Sequence, residues 1–193
     1  IQARYDAIID VAKARNPARQ PKPGSRRRVR QSPAHNLVRR LSENRDAVLR
    51  ILDIKQRPID KGMILIGSRL EQFAPFIEPP TPEIQDELDQ TWPGPVTWLL
   101  PSRPETPVWL RGQHSSLAVR VTDHPLAAAL CDAFGGPIVS TSANNSGRPP
   151  ARSALQARLR CPGLDHVING KTGGRDRPSE IRDARTRGVI RRG

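Results

Sequence analysis

Four short apolar runs, separated by stretches of helical periodicity, constrain this chain more than any other feature. Met63-Ile64-Leu65-Ile66 and Val96-Thr97-Trp98-Leu99-Leu100 read as strands, stopped respectively by Gly67-Ser68 and Pro101. Ser116-Leu117-Ala118-Val119-Arg120-Val121 alternates as a half-exposed strand does, and Pro137-Ile138-Val139-Ser140 reads as a central one. Between them, helical spacing predicts a helix from a Ser42 N-cap to Lys55, with Val48, Leu49 and Leu52 on one face. Further helices are expected over Leu70–Phe76, from Pro82 through Leu88, from His124-Pro125 to Phe134, and over Ser153–Leu159. His166–Ile168 and Val189–Arg191 are candidate late strands. Helices and strands intermix throughout, so the expected fold class is α/β, one domain with a twisted mixed sheet flanked by helices.

At 193 residues the chain suffices for one domain with a real core. No run of eighteen apolar residues occurs, so neither a transmembrane helix nor a membrane partner is expected. The N-terminus lacks a secretory pattern, and Ile1 in place of Met suggests numbering that starts inside a longer reading frame. Cys131 and Cys161 have no CxxC and no histidine at ligand spacing, which argues for reduced thiols in a cytoplasmic protein. The four histidines are scattered, as surface or capping residues are.

The net charge of +13 is local. Ten cations and no acid fall between residues 11 and 42, and the remaining 22 cations face 19 acids. Residues 3–13 have the spacing of an amphipathic helix, through Tyr5, Ile8, Ile9 and Ala12. From Arg15 to Arg30 neither alternation nor a helical face exists, and such a composition is expected to stay disordered or loop-like. It reads either as a basic arm for RNA phosphates or as a solvated linker.

Two polar clusters carry the chemistry. Lys55, Arg57 and Lys61 lie on a helix-to-strand connection, where Arg57 offers a planar fork and the lysines point charges for phosphate or carboxylate. The alternative is a solvated basic loop. Ser140, Ser142 and Asn144 recur at every second position after an apolar run, suited to phosphate oxygens or a ribose, or else an ordinary polar turn. Arg120, between Val119 and Val121, needs a partner: Asp123 or a bound carboxylate. Gly170-Lys171-Thr172-Gly173-Gly174 lacks the order of a phosphate-binding P-loop. No nucleophile-and-base arrangement stands out, so covalent catalysis is not expected.

Taken together, these blocks resemble the TsaC/YrdC family, the threonylcarbamoyl-AMP synthases, in its bacterial single-domain form. The matching text is Ala47–Leu52 into Lys55-Gln56-Arg57-Pro58 and Lys61-Gly62, Trp92–Thr97, Leu117–Val121 with His124-Pro125, Ser140–Asn144 with Ser146-Gly147, and Thr172–Gly174 with Pro178–Asp183. The order is kept from about residue 44 to 193, which marks 44–193 as a YrdC-like domain and 1–43 as an anomalous N-terminal part.

The resemblance implies that threonine, bicarbonate and ATP, with Mg²⁺ accompanying the ATP, give threonylcarbamoyl-adenylate and pyrophosphate. Partner proteins then transfer the threonylcarbamoyl group to a tRNA adenosine beside the anticodon. It implies catalytic roles for Lys55, Arg57, Ser142 and Asn144 around the ATP phosphates, with Ser116 and Arg191 as further ATP-binding residues. Lys61, Arg120, Ser140 and Ser179 would bind threonine, Arg120 its carboxylate. No metal ligand comes from the protein in this reading. A different class, a non-catalytic module of the same fold binding tRNA or double-stranded RNA, is the alternative.

The chain departs from the family in one place. Ahead of the Lys55 helix the family has a strand ending in a Pro-Thr-Glu block and a glycine-rich turn; here the arginine–proline segment stands instead. Foreign, acid-free text between two in-register flanks is what a compensated pair of frameshifts in GC-rich DNA produces. Resequencing residues 11–43 tests this: an uninterrupted read giving the same protein would refute it.

Overall fold

The computed structural model describes residues 33–193 except Ser146, Lys171, Arg175 and Asp176, with side chains from Asn44 onward. The expected helix over 3–13, the arginine–proline stretch and most of the segment behind the frameshift reading lie outside the described residues. The chain divides into two compact units, residues 1–50 and 51–193, and the second carries every described strand.

Helix α1 (Pro33–Lys55) starts well ahead of Ser42, so Ser42 is not its N-cap and residues 33–42 are helical as well. The physical reason is in the spacing: Leu37 and Leu41 continue the repeat of Val48 and Leu52, and no proline interrupts it after Pro33. The helix ends at Lys55, as its spacing predicts, just ahead of Pro58, which disfavours helical backbone at Arg57. Then follow β1 (Ile64–Gly67), a 3-10 turn (Leu70–Phe73), α2 (Pro82–Thr91) and β2 (Thr97–Pro101). A short helix unseen in the sequence, α3 (Val108–Arg111), leads into β3 (Ser116–Val121). Next are α4 (Pro125–Phe134), β4 (Ile138–Ser140), α5 (Ala154–Arg160), β5 (Ile181–Asp183) and β6 (Val189–Arg191). The His124 and Ser153 side chains accept from the Ala127 and Gln156 amides, capping α4 and α5 where the sequence places their starts.

The six strands form one mixed sheet in the order β4-β1-β3-β2-β5-β6, flanked by helices as expected. β1 pairs in parallel with β3, and β2 with β5; the other pairs are antiparallel. Two strand expectations are corrected. Pro137–Ser140 is not central: β4 is an edge strand, paired only with β1 and half-buried along its length. Its apolar run is short enough to be served by one neighbour. His166–Ile168 forms no strand, and Ile168 is exposed. Val189–Arg191 forms as expected, and the late strand missed is Ile181–Asp183, which carries a single apolar residue; its Arg182 stacks over Trp98 with the guanidinium 5.7 Å from the ring centre.

Register divides the sheet into two faces. Val139, Leu65, Val119, Trp98 and Arg182 are consecutive partners across it, and Leu117 with Leu100 extend that face. Trp98, Leu117 and Val119 are completely buried there. Phe73 caps the same face so closely that a Cβ on Gly67 would stand 2.8 Å from its ring. The α2 end joins through Trp98 Nε1 donating to Thr91 Oγ1, and α4 through Cys131 Sγ donating to the Ile66 carbonyl. This face is the core. On the opposite face the partners run Ser140, Ile64, Ala118 and Leu99, with Arg120 beside Ile66.

Both cysteines are buried and free, so no disulfide forms. Among the described residues no helix is long and apolar enough to cross a membrane.

Candidate active site

The face opposite the core opens into a cavity of about 600 Å³. Strand alternation places its floor: Ser116, Ala118 and Arg120 of β3 point into it while Leu117, Val119 and Val121 enter the core. Ser140 and Ser142 line it from the end of β4, and Arg57 and Lys61 from the loop after α1. Ser179 and Arg191 close it from the β5 and β6 side. The two polar loops of the sequence therefore converge, with threonine-site and ATP-site candidates in one space.

The Arg57–Gly62 loop is held by its own guanidinium. Arg57 donates from Nε and Nη2 to the Gly62 carbonyl at 3.2 and 3.0 Å. Its flank packs on the end of α3, where Met63 N donates to Leu110 O and Gln113 N to Asp60 O. Gly112 makes this approach workable: at φ +67°, a Cβ there would lie 2.1 Å from the Asp60 carbonyl oxygen. Opposite, Arg191 Nη2 donates to the Ser179 carbonyl at 2.7 Å, and the Ser179 and Thr97 hydroxyls are 3.2 Å apart.

Lys55 and Asn144 sit behind the lining rather than in it. The Lys55 ammonium donates to Ser142 O at 2.6 Å, Asn144 O at 2.7 Å and Asn144 Oδ1 at 3.0 Å. Ser142 Oγ donates to the same Asn144 Oδ1 at 2.6 Å, and Asn144 Nδ2 donates to the Arg148 carbonyl. In extended backbone Ser140, Ser142 and Asn144 would project to one side, but the strand ends at Ser140 and the chain turns. Burial pushes the Lys55 ammonium below the ordinary lysine range; the nearby Cys161 opposes this shift and Arg57 adds to it.

Arg111 and His114 also line the cavity and were missed in the sequence. Arg111 Nη1 donates to the His114 carbonyl at 2.7 Å, fixing the turn before β3. Nothing in that turn forms a motif, so only its position after a strand-entry loop could have drawn notice. The described lining contains cations and hydroxyls and no carboxylate, a set suited to polyanions and to an amino-acid carboxylate.

The Sua5/YciO/YrdC family model, described as "Telomere recombination", matches residues 40–193. A curated threonylcarbamoyl-AMP synthase of Klebsiella pneumoniae is 48% identical over 153 residues, covering 78% of this chain and 80% of that protein. The protein of the same name from Escherichia coli O1:K1 is 50% identical over the same shares. P. abyssi Sua5 complexed with L-threonine is 30% identical with a TM-score of 0.68, over 72% of this chain and 42% of that one. MTH1692 of Methanobacterium thermoautotrophicum, 21% identical, shares the fold at a TM-score of 0.60 over 91% and 93% of the two chains. A polar cavity on a six-stranded mixed sheet and a match running from residue 40 to 193 agree: this chain belongs to the Sua5/YciO/YrdC family.

Proposed function

We propose that this chain joins L-threonine, bicarbonate and ATP into threonylcarbamoyl-adenylate, releasing pyrophosphate. The convergence of the Arg57–Lys61 loop and the Ser140–Ser142 segment on one cavity carries this reading. Its volume of about 600 Å³ falls within the range of small-molecule sites. Relatives near 50% identity that bear the name threonylcarbamoyl-AMP synthase support the same chemistry.

Threonine's amine attacks the bicarbonate carbon, and the carbamate forms with loss of water. A carbamate oxygen then attacks the α-phosphorus in line; the bond to the β-phosphate oxygen breaks, and pyrophosphate leaves with its electron pair. Arg120, rising from the cavity floor, binds the threonine carboxylate, with Lys61, Ser140 and Ser179 around it. Arg57 and Arg191 face the phosphates with Ser116, so charge that develops on transfer meets fixed cations. Positioning supplies the remaining acceleration, and no protein nucleophile is needed.

Among the described residues no group of three or more His, Cys, Asp or Glu side chains is placed to hold a metal. In this reading Mg²⁺ enters with the triphosphate and would neutralise phosphate charge there. The product then passes to partner proteins that transfer the threonylcarbamoyl group to tRNA in the cytoplasm.

A pyrophosphate-release assay tests the reading. Release is expected only with threonine, bicarbonate and ATP together, and to fall by about 100-fold or more in Arg57→Ala, which removes a phosphate-facing cation. Salt-sensitive RNA binding without threonine-dependent release would favour the RNA-binding module instead.

A further inference from the structure

We propose that Lys55 is a positioning residue, which orders the Ser142–Asn144 loop from behind and makes no contact with substrate. Its kinetic consequence rests on the adenylate-forming reading; its structural consequence does not.

An ammonium has three protons and no acceptor capacity. All three Lys55 protons have acceptors, two loop carbonyls and one side-chain amide oxygen, at 2.6 to 3.0 Å. Reaching a phosphate would require giving one of them up. Lys55 is 8% exposed and stands outside the cavity lining, while Ser142, which it holds, stands in it.

The hold sets the polarity of the loop. Ser142 O also accepts from Asn144 N at 2.9 Å, and Ala143 O accepts from Ala151 N at 2.9 Å. With Asn144 O on Lys55, three consecutive carbonyl oxygens are engaged by protein donors. A carbonyl turned toward the cavity would repel phosphate oxygens, so engaging all three keeps the anion site free of that repulsion. Lys55 also orients the side chains. Because lysine only donates, the Asn144 atom it meets is the oxygen, and the Ser142 hydroxyl 2.6 Å from that oxygen must donate to it. The Ser142 proton is thereby spent inside the loop.

The test begins with the unmodified full chain. Amine-selective acylation read by mass spectrometry, with and without saturating ATP, Mg²⁺ and threonine, compares Lys55 with Lys61. Lys55 is expected to react at least about tenfold more slowly than Lys61, and substrates to change its rate by less than about twofold. Strong protection of Lys55 by substrates would overturn the proposal.

Lys55→Met and Lys55→Arg follow. A planar guanidinium cannot replace a tetrahedral three-donor ammonium. Both variants should therefore lose about 100-fold in kcat while the ATP KM stays within about threefold. In both, hydrogen exchange at the Asn144 and Ala151 amides should accelerate by about tenfold or more while the fold persists. An Arg variant of near wild-type activity, or unchanged exchange at those amides, refutes the positioning role. Should the wild-type chain release no pyrophosphate, the functional reading falls and the exchange experiment still decides this one.

Discussion

Along β3, Leu117 and Val119 are fully buried, while Ser116, Ala118 and Arg120 border an open cavity from the same six-residue strand. One face of the sheet is closed by Phe73, Trp98, α2 and α4; the other sets cations and hydroxyls among apolar residues such as Ile64 and Leu99. The difference teaches how a small domain separates stability from chemistry. The two-residue period sends alternate side chains to opposite sides, so a change on one face leaves the other nearly untouched. The core face can then be packed for stability, and the cavity face can hold charge that a core would not tolerate.

That separation can be broken most severely at Trp98. Trp98→Ala empties a fully buried site and removes the ring under Arg182, and should cost about 3–5 kcal/mol in denaturant unfolding. Arg120→Ala, on the other face, should cost clearly less stability than Trp98→Ala and raise the threonine KM by about 10–150-fold, the range for loss of a charged hydrogen bond. A large stability loss in that variant would mean that the faces are energetically coupled. The smallest effect is expected at the core's rim, where the Asp132 carboxylate accepts from Ser68, Arg69 and Gln72. The Ser68 hydroxyl first, and Arg69 with it, hold the Asp132 carboxyl below the ordinary aspartate range. A lowered folded-state value gives stability that is present above the unfolded value and lost as pH falls through the folded one. Asp132→Asn should therefore melt slightly earlier than wild type at neutral pH, and the gap should close in acid; a gap independent of pH contradicts the ionic origin.

Strands β1, β2 and β3 were legible because each carries a pattern that any neighbour would satisfy: apolar residues at one or both faces over four to six positions. The starts of α4 and α5 were legible because their caps are local, reaching only three residues ahead. The place of β4 was not, since Ile138 and Val139 look alike at a sheet's centre and at its edge. β5 hid because Arg182 replaces an apolar core residue, and only Trp98, far away in sequence, makes that substitution workable. Most of the candidate residues picked out by resemblance and clustering line the cavity, yet the separate placement of the others was invisible. Lys55 and Arg57 are neighbours in sequence, but one is spent on loop carbonyls and the other lines the cavity.

Composition and periodicity by themselves determined that this chain builds an α/β domain, and where most of its strands and caps begin. They also supplied the two polar segments from which a site could be made. Strand order, the choice of which face becomes cavity, and the capture of Lys55 by a loop 87 to 89 residues away were decided only by the tertiary structure. The physical reason is range: helix periodicity and capping are settled within a few residues, whereas a proton's acceptor or a strand's second neighbour is settled by whatever the fold brings alongside.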